Sequence, residues 1–125
     1  MGISSDGLLF WGYCFDDEVP WVDELTEEEW EIWYNEGWEE LAIHWEVDVD
    51  FGCSIEFHCS YDYPMYAAVI DESCIRAFRG DPQRIEAADL KVGKDWKEEL
   101  DTFCESMGID VSGMEPGWHL ASLYG

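Results

Sequence analysis

Residues 26–50 read TEEEWEIWYNEGWEELAIHWEVDVD, and this stretch predicts a change from helix to strand. Thr26 and Glu29 form the capping-box pattern of a helix start. Apolar residues then recur at three- and four-residue steps, which is typical of an amphipathic helix. Ile32 points outward on this helical wheel, which predicts that it is exposed. The expected buried face consists of Trp30, Trp33 or Tyr34, Trp38 and Leu41.

From residue 43 the apolar period becomes two, which predicts a strand over residues 43–49. A second alternating strand follows at residues 53–59, and Gly52 can supply the left-handed position of a short loop between the two. We therefore expect a β-hairpin with its apolar residues on one face. This hairpin sets two pairs of polar residues opposite each other: Glu46 with Glu56, and His44 with His58.

The rest of the chain supplies further strands and one more helix. Apolar runs predict strands at residues 8–14, 66–70 and 74–78, and the tail PGWHLASLYG alternates weakly, as a terminal strand would. A second amphipathic helix is expected over residues 96–107, after an Asp95 cap. The expected fold class is α+β: one domain over residues 1–125, with an antiparallel sheet of about four to six strands and two amphipathic helices.

The charge of the chain is unusual for its size. Eight Trp, six Tyr and six Phe provide enough apolar surface for a packed core. Thirty acids against six bases nevertheless give a net charge of −24, which is several times what solubility requires. Residues 1–75 hold twenty of the acids and none of the bases, because every Lys and Arg lies within residues 76–97.

Cysteine usage and hydropathy bear on the compartment. The chain has five cysteines, at positions 14, 53, 59, 74 and 104, and none of them forms a CxxC pair. Several fall at inward-facing positions of the expected elements, where a reduced cysteine acts as a small hydrophobe. No stretch approaches the length of a membrane span, and no signal-peptide pattern is present. We expect a reduced, cytoplasmic protein that makes no contact with membranes.

The motifs that identify common enzyme classes are absent. The sequence contains no GxSxG, P-loop, dinucleotide fingerprint or HExxH motif. A cysteine nucleophile is disfavoured because an anionic environment raises thiol pKa values. Direct nucleic-acid binding is disfavoured because phosphates would be repelled. We therefore expect a protein that is not an enzyme and that uses no cofactor.

The histidines of the predicted hairpin leave one metal-binding hypothesis open. His44 and His58, together with Glu46 and Glu56, could ligate Zn²⁺. The simpler interpretation is that both histidines are exposed on a solvated sheet face. Glu46 opposite Glu56 favours a cation, because two facing carboxylates repel each other.

The acidic surface itself is the remaining functional feature. Carboxylates two residues apart on a strand, or three to four apart on a helix, stand at spacings comparable to those of successive phosphates. This pattern predicts a partner that is a basic, nucleic-acid-binding protein, while an acidic structural or adaptor protein is an alternative. The candidate partner-binding residues are Glu28, Glu31, Glu36, Glu39, Glu46, Asp48, Asp50 and Glu56.

Three stretches of the chain resemble small proteins of tailed bacteriophages: MGISSDGLLFWGY at the start, IRAFRGDPQRI in the middle and EPGWHLASLYG at the end. In composition the chain also resembles the acidic DNA-mimic inhibitors that phages use against host nucleases and defence complexes. The resemblance implies action in the host cytoplasm and transfers no residue-level motif.

Overall fold

The structure is a computed structural model that describes residues 5–47, 52–58, 65–78 and 80–124. It confirms the α+β class: a five-stranded antiparallel sheet carries three helices. The strands are β1 (Ser5–Phe15), β2 (Cys53–His58), β3 (Met65–Ile70), β4 (Ile75–Ala77) and β5 (Gly117–Tyr124). The helices are α1 (Glu27–Glu36), α2 (Trp38–His44) and α3 (Trp96–Ser106).

Strand β1 forms the centre of the sheet. One of its edges pairs with β5 over its whole first part, from Ser5 to Gly12. The other edge pairs with β4 near Gly7 and with β3 from Gly12 onwards. Strands β3 and β4 therefore form two parts of a single line along β1, interrupted by a 3-10 turn at Asp71–Ser73. Strand β2 adds to the free side of β3, so that the order across the sheet is β2, β3 with β4, β1, β5.

The buried side chain of Ser73 supplies a hydrogen-bond acceptor at this interruption. Trp11 lies between the β1 residues that pair with β4 and those that pair with β3, so no strand residue accepts its N–H. The Ser73 hydroxyl accepts this N–H at 2.9 Å and donates to the Ile70 carbonyl at 2.6 Å. A side-chain oxygen therefore replaces the missing backbone acceptor at the centre of the sheet.

We expect Ser73→Ala to destabilise the protein by about 1–3 kcal/mol, because the buried Trp11 N–H would lose its acceptor. Urea denaturation followed by tryptophan fluorescence measures this change. The control is Ser122→Ala, since Ser122 is exposed on the same sheet and its replacement should cost less than about 0.5 kcal/mol. Equal stabilities of the two variants would contradict this role of Ser73.

The main core lies between one face of the sheet and the three helices. Trp21, which is 7% exposed, sits at its centre. Its ring meets Trp33 and Trp45 edge-on at centroid distances of 5.0 and 5.2 Å. Its indole N–H donates to the Met107 carbonyl at 2.8 Å. Around it lie fully buried residues from the sheet and the helices, including Tyr13, Leu41, Ala68, Leu100, Phe103 and Cys104.

The sheet is strongly curved towards its other face. Arg76 of β4 pairs with Leu8 of β1. Glu56 of β2 pairs with Ala67 of β3, which in turn pairs with Cys14 of β1. Arg76 and Glu56 are therefore level with β1 positions that are six residues apart, which corresponds to about 20 Å on a flat strand. They nevertheless form an ion pair at 3.0 Å, which requires curvature. This face carries a second, smaller core of Leu8, Phe10, Ala67 and Val69, each with no exposed surface.

The strand predicted over residues 43–49 is wrong where the structure describes it. Helix α2 continues to His44, and Trp45 and Glu46 form the turn that ends it, with Glu46 in the left-handed region (φ 62°). Trp45 of the alternating pattern also fits a helical period, since Trp38, Leu41, Ala42 and Trp45 follow the i, i+3, i+4, i+7 pattern. Burial of Leu41 and Ala42 in the main core decides for the helix.

The predicted hairpin is therefore also wrong. Strand β2 does form, but it pairs with β3, with Cys53 opposite Ile70 and Glu56 opposite Ala67. The long-range apolar contact with β3 replaces the short-range partner that the alternation suggested. Residues 48–51, which include the rest of the predicted first strand, lie outside the described residues.

The predicted buried face of the first helix needs a correction as well. The capping box is confirmed, because the Thr26 hydroxyl accepts from Glu29 N–H and a Glu29 carboxylate oxygen accepts from Thr26 N–H. However, Gly37 (φ 96°) divides the predicted helix into α1 and α2, so one helical wheel cannot describe both. Helix α1 turns Ile32 towards the core, and leaves Trp30 and Tyr34 exposed at 43% and 74%.

Candidate partner-binding surface

The outward faces of α1 and α2 form a continuous acidic surface, here called the helical acidic surface. The described ion pairs join Arg76 to Glu56, Arg84 to Glu86 and Lys97 to Asp101, and so none of them uses an acid of α1 or α2. Every cation of the chain lies beyond residue 75. The helical acidic surface therefore keeps its negative charge. Its exposed acids are Glu27, Glu28, Glu31, Glu36, Glu39 and Glu40.

Glu29 holds α1 against the end of α2. One of its carboxylate oxygens accepts the Thr26 N–H at 3.0 Å, and the other accepts the indole N–H of Trp45. These two bonds lower the pKa of the Glu29 carboxyl, with the backbone bond from Thr26 as the larger cause. The arrangement fixes the angle between the two helices although Gly37 interrupts them. The carboxylates of the helical acidic surface thus stand on a packed scaffold.

The predicted site residues divide into four groups. Glu46 is exposed in the turn after α2. It was expected to form a row of carboxylates with Asp48 and Asp50 on one strand, but Glu46 is not in a strand. Asp48 and Asp50 themselves lie outside the described residues. Glu56 projects from the opposite face of the sheet, with a 27% exposed side chain paired to Arg76. The helical acidic surface brings together Glu28, Glu31, Glu36 and Glu39.

The histidine arrangement proposed for a metal does not form. His44 is exposed at the end of α2, and the position of His58 in β2 pairs with Met65 of β3. The expected pairing of His44 with His58 and of Glu46 with Glu56 is therefore wrong, because it depended on the absent hairpin. Within the described part of the chain, no group of three or more His, Cys, Asp or Glu side chains is placed to hold a metal ion.

The four described thiols are poor nucleophiles. Burial raises the pKa of Cys53 and of Cys104 to about 12, and that of Cys74 to about 11. Burial and the nearby Asp16 also raise the pKa of Cys14. All four are free cysteines, as a reduced protein would have. The sequence-based expectation that thiol pKa values are raised is confirmed for these four residues, and Cys59 lies outside the described residues.

An open groove of about 680 Å³ lies between β1, α3 and the loop after α3. At its edge the Tyr13 hydroxyl donates to Asp101 at 2.5 Å, and Lys97 donates to the other Asp101 oxygen at 2.8 Å. Burial acts to raise the pKa of Asp101, but the bonds from Lys97 and Tyr13 outweigh it and lower this pKa. Burial and the Asp101 bond raise the pKa of Tyr13 well above its usual range. Tyr13, Lys97 and Asp101 therefore satisfy one another's hydrogen bonds at this edge of the groove.

Sequence reasoning missed two residues of the helical acidic surface. Trp30 was expected in the core, and Tyr34 was expected there only as the alternative to Trp33, but the two rings are exposed and stack on each other, with ring centroids 6.0 Å apart and planes at 28°. Gly37 was the available signal, because a helix that breaks there leaves α1 free to pack Ile32 and Trp33, both half-buried, against the core instead. The surface is therefore both acidic and aromatic.

Two findings complete the description of the chain. No helix of the described residues has the length and apolar character that crossing a membrane would require. No protein-family model, curated protein or solved structure matches the chain.

Proposed function

We propose that this protein is an inhibitor that imitates the charge of a nucleic acid and occupies the nucleic-acid-binding surface of a basic host protein. It acts without catalysis or a cofactor, in the cytoplasm of a bacterial host, and the partner belongs to the nucleases or defence proteins of that host. The observation that carries this proposal is the helical acidic surface, whose carboxylates are exposed and unpaired with any cation of the described residues.

The spacing of the carboxylates supports the proposal. Residues three or four apart on a helix stand about 5–6 Å from each other at Cβ. Glu28 and Glu31 have this relation on α1. Glu36 and Glu39 are also three residues apart in sequence, but they lie on either side of the break at Gly37, where helical spacing does not apply. Lys and Arg side chains that hold successive phosphates can therefore meet successive carboxylates instead.

The rigidity of the scaffold supports it as well. Trp38 of α2 is buried and meets Phe103 of α3 edge-on at 5.3 Å, while Trp33 of α1 packs on Phe57 of β2 at 5.1 Å. Both helices are thereby attached to the main core. Carboxylates on a fixed scaffold lose little conformational freedom on binding, which favours tight association.

Net charge adds a long-range effect. A chain at −24 attracts a basic partner over distances comparable with the Debye length, and this attraction accelerates encounter. The association rate should therefore decrease steeply as salt is added.

A second candidate function is an adaptor that binds through apolar contacts. It is favoured by the segment 78–92, where Phe78, Ile85, Leu90 and Val92 are exposed at 58%, 40%, 39% and 50%. Binding through this segment would be insensitive to salt, whereas binding through the helical acidic surface would weaken with it.

The test uses two variants with the same change in net charge. In one, Glu28, Glu31, Glu36 and Glu39 are replaced by Lys; in the other, four exposed acids elsewhere are replaced, namely Asp81, Glu98, Glu105 and Glu115. Host proteins captured from a bacterial lysate are eluted with salt and assayed for binding to labelled DNA or RNA. We expect the wild type to block this binding and the first variant to lose affinity by about 100-fold or more, since several interfacial charge pairs are reversed.

The control variant should lose affinity only slightly, because its changed residues lie away from the helical acidic surface. Equal losses in both variants would mean that overall charge, not this surface, drives binding. Unaltered blocking by the first variant would overturn the proposal. Salt-resistant capture that depends on residues 78–92 would favour the adaptor.

A further inference from the structure

The outward face of α1 combines carboxylates and aromatic rings in a regular order. Glu27 precedes Trp30 by three residues, and Glu31 precedes Tyr34 by three residues, so each ring has a carboxylate as a helical neighbour about 5–6 Å away. All four side chains are exposed. We call these four residues the aromatic–acidic patch.

Trp30 and Tyr34 form an exposed, stacked pair of aromatic rings. All eight tryptophans lie among the described residues, and Trp30 is the one that is exposed. Tyr34 is 74% exposed and stacks on Trp30 outside the core. Both rings lie on the surface because α1 packs the half-buried Ile32 and Trp33 against the main core. Exposed aromatic residues that are fixed in position are typical of the energetic centres of protein interfaces.

The charge around the rings specifies the partner. Neither Glu27 nor Glu31 belongs to an ion pair of the described residues. An apolar partner would have to remove these carboxylates from water without compensation, which is costly. A cationic side chain satisfies the carboxylates and is attracted to the ring faces at the same time.

We propose that the aromatic–acidic patch binds arginine side chains of a protein partner, with a guanidinium stacked on Trp30 or Tyr34 and its N–H groups donating to Glu27 or Glu31. This inference rests on the proposed function for the basic nature of the partner, and adds that arginine is preferred over lysine. The guanidinium is planar and weakly hydrated and carries five donors, whereas the lysine ammonium is a compact and strongly hydrated charge.

The experiment compares nona-arginine with nona-lysine as probes, by isothermal titration calorimetry at moderate salt. The wild type is expected to bind nona-arginine more tightly. In the double variant Trp30→Ala, Tyr34→Ala, this preference should fall by about five- to thirty-fold, because two stacking contacts are lost. Binding of nona-lysine should change little, since the carboxylates remain.

Two control variants sharpen the result. Trp30→Phe with Tyr34→Phe keeps the rings and should retain most of the preference for arginine. Phe78→Ala removes an exposed ring, 58% accessible, outside the patch and should leave the preference unaltered. A preference that is the same in the wild type and in the double alanine variant would overturn the inference.

Failure of this inference and failure of the proposed function give different results. If reversal of Glu28, Glu31, Glu36 and Glu39 abolishes inhibition while the double alanine variant keeps the wild-type preference for arginine, the charge imitation holds and the patch hypothesis falls. If the double alanine variant loses the preference but no nucleic-acid-binding protein is inhibited, the patch binds arginine and the proposed function falls.

Discussion

Replacement of Trp21 by alanine is expected to lower the free energy of unfolding by about 3–5 kcal/mol, which is the usual cost of deleting a large aromatic core residue. Trp21 is 7% exposed and meets Trp33 and Trp45 edge-on. Its removal leaves a cavity at the place where α1, the end of α2 and the loop after α3 come together. The Met107 carbonyl also loses its indole donor.

Equilibrium urea denaturation followed by far-UV circular dichroism measures this loss. Trp21→Phe should be intermediate, because it keeps a ring but leaves the Met107 carbonyl unpaired, at a cost of about 1–3 kcal/mol. The matched control is Trp30→Ala, since Trp30 is 43% exposed and contributes little to the core. The importance assigned to Trp21 is contradicted if Trp21→Ala and Trp30→Ala unfold at the same urea concentration.

Gly12→Ala should cost about 3 kcal/mol or more, because there is no space for a methyl group at this point of the sheet. A Cβ built on Gly12 would lie 2.0 Å from the carbonyl oxygen of Ala68 and 3.0 Å from its carbonyl carbon. Both are backbone atoms of β3, the strand next to β1, so no rotamer change can relieve the contact. The two strands therefore approach each other closely at this point, which only glycine permits.

Gly7→Ala is the control for this prediction, because it places the same methyl group on the same strand. A Cβ at Gly7 would meet Ala77 at 3.8 Å, which is an ordinary contact. Gly7→Ala should therefore leave the stability unchanged or raise it by a few tenths of a kcal/mol up to about 1 kcal/mol. Both variants can be compared by thermal unfolding. Similar melting temperatures would show that the strands separate more easily at Gly12 than their packing indicates.

Much of the fold was predictable because its signals are local. The apolar runs that became β1 and β3 are continuous, and the capping box of Thr26 and Glu29 marks the start of α1 within four residues. The stripe of α3 likewise places Leu100 and Phe103 in the core. Each of these elements is specified by neighbours in sequence, and tertiary packing reinforces that preference.

The errors arose where long-range packing decides between two patterns. Residues 43–47 alternate as a strand would, while Trp45 also continues the helical pattern of Trp38, Leu41 and Ala42, and only contact with the core separates the two. The pairing of β2 with β3 and the ion pair of Glu56 with Arg76 depend on the curvature of the whole sheet. The acids of α1 and α2 were identified correctly as exposed, because unpaired charges stay in water. The exposure of Trp30 was missed because its burial was inferred from one unbroken helix.

The pairing of β1 with β5 also determines when the sheet can be completed during synthesis. Ser5 lies opposite Tyr124. Strand β1 therefore cannot pair with β5 until the ribosome has added more than a hundred further residues. Until residues 117–124 emerge, the nascent chain carries an uncovered apolar strand edge, which is the kind of surface that chaperones recognise and that promotes misassembly. The pairing of β1 can therefore be completed only after residues 117–124 have been synthesised.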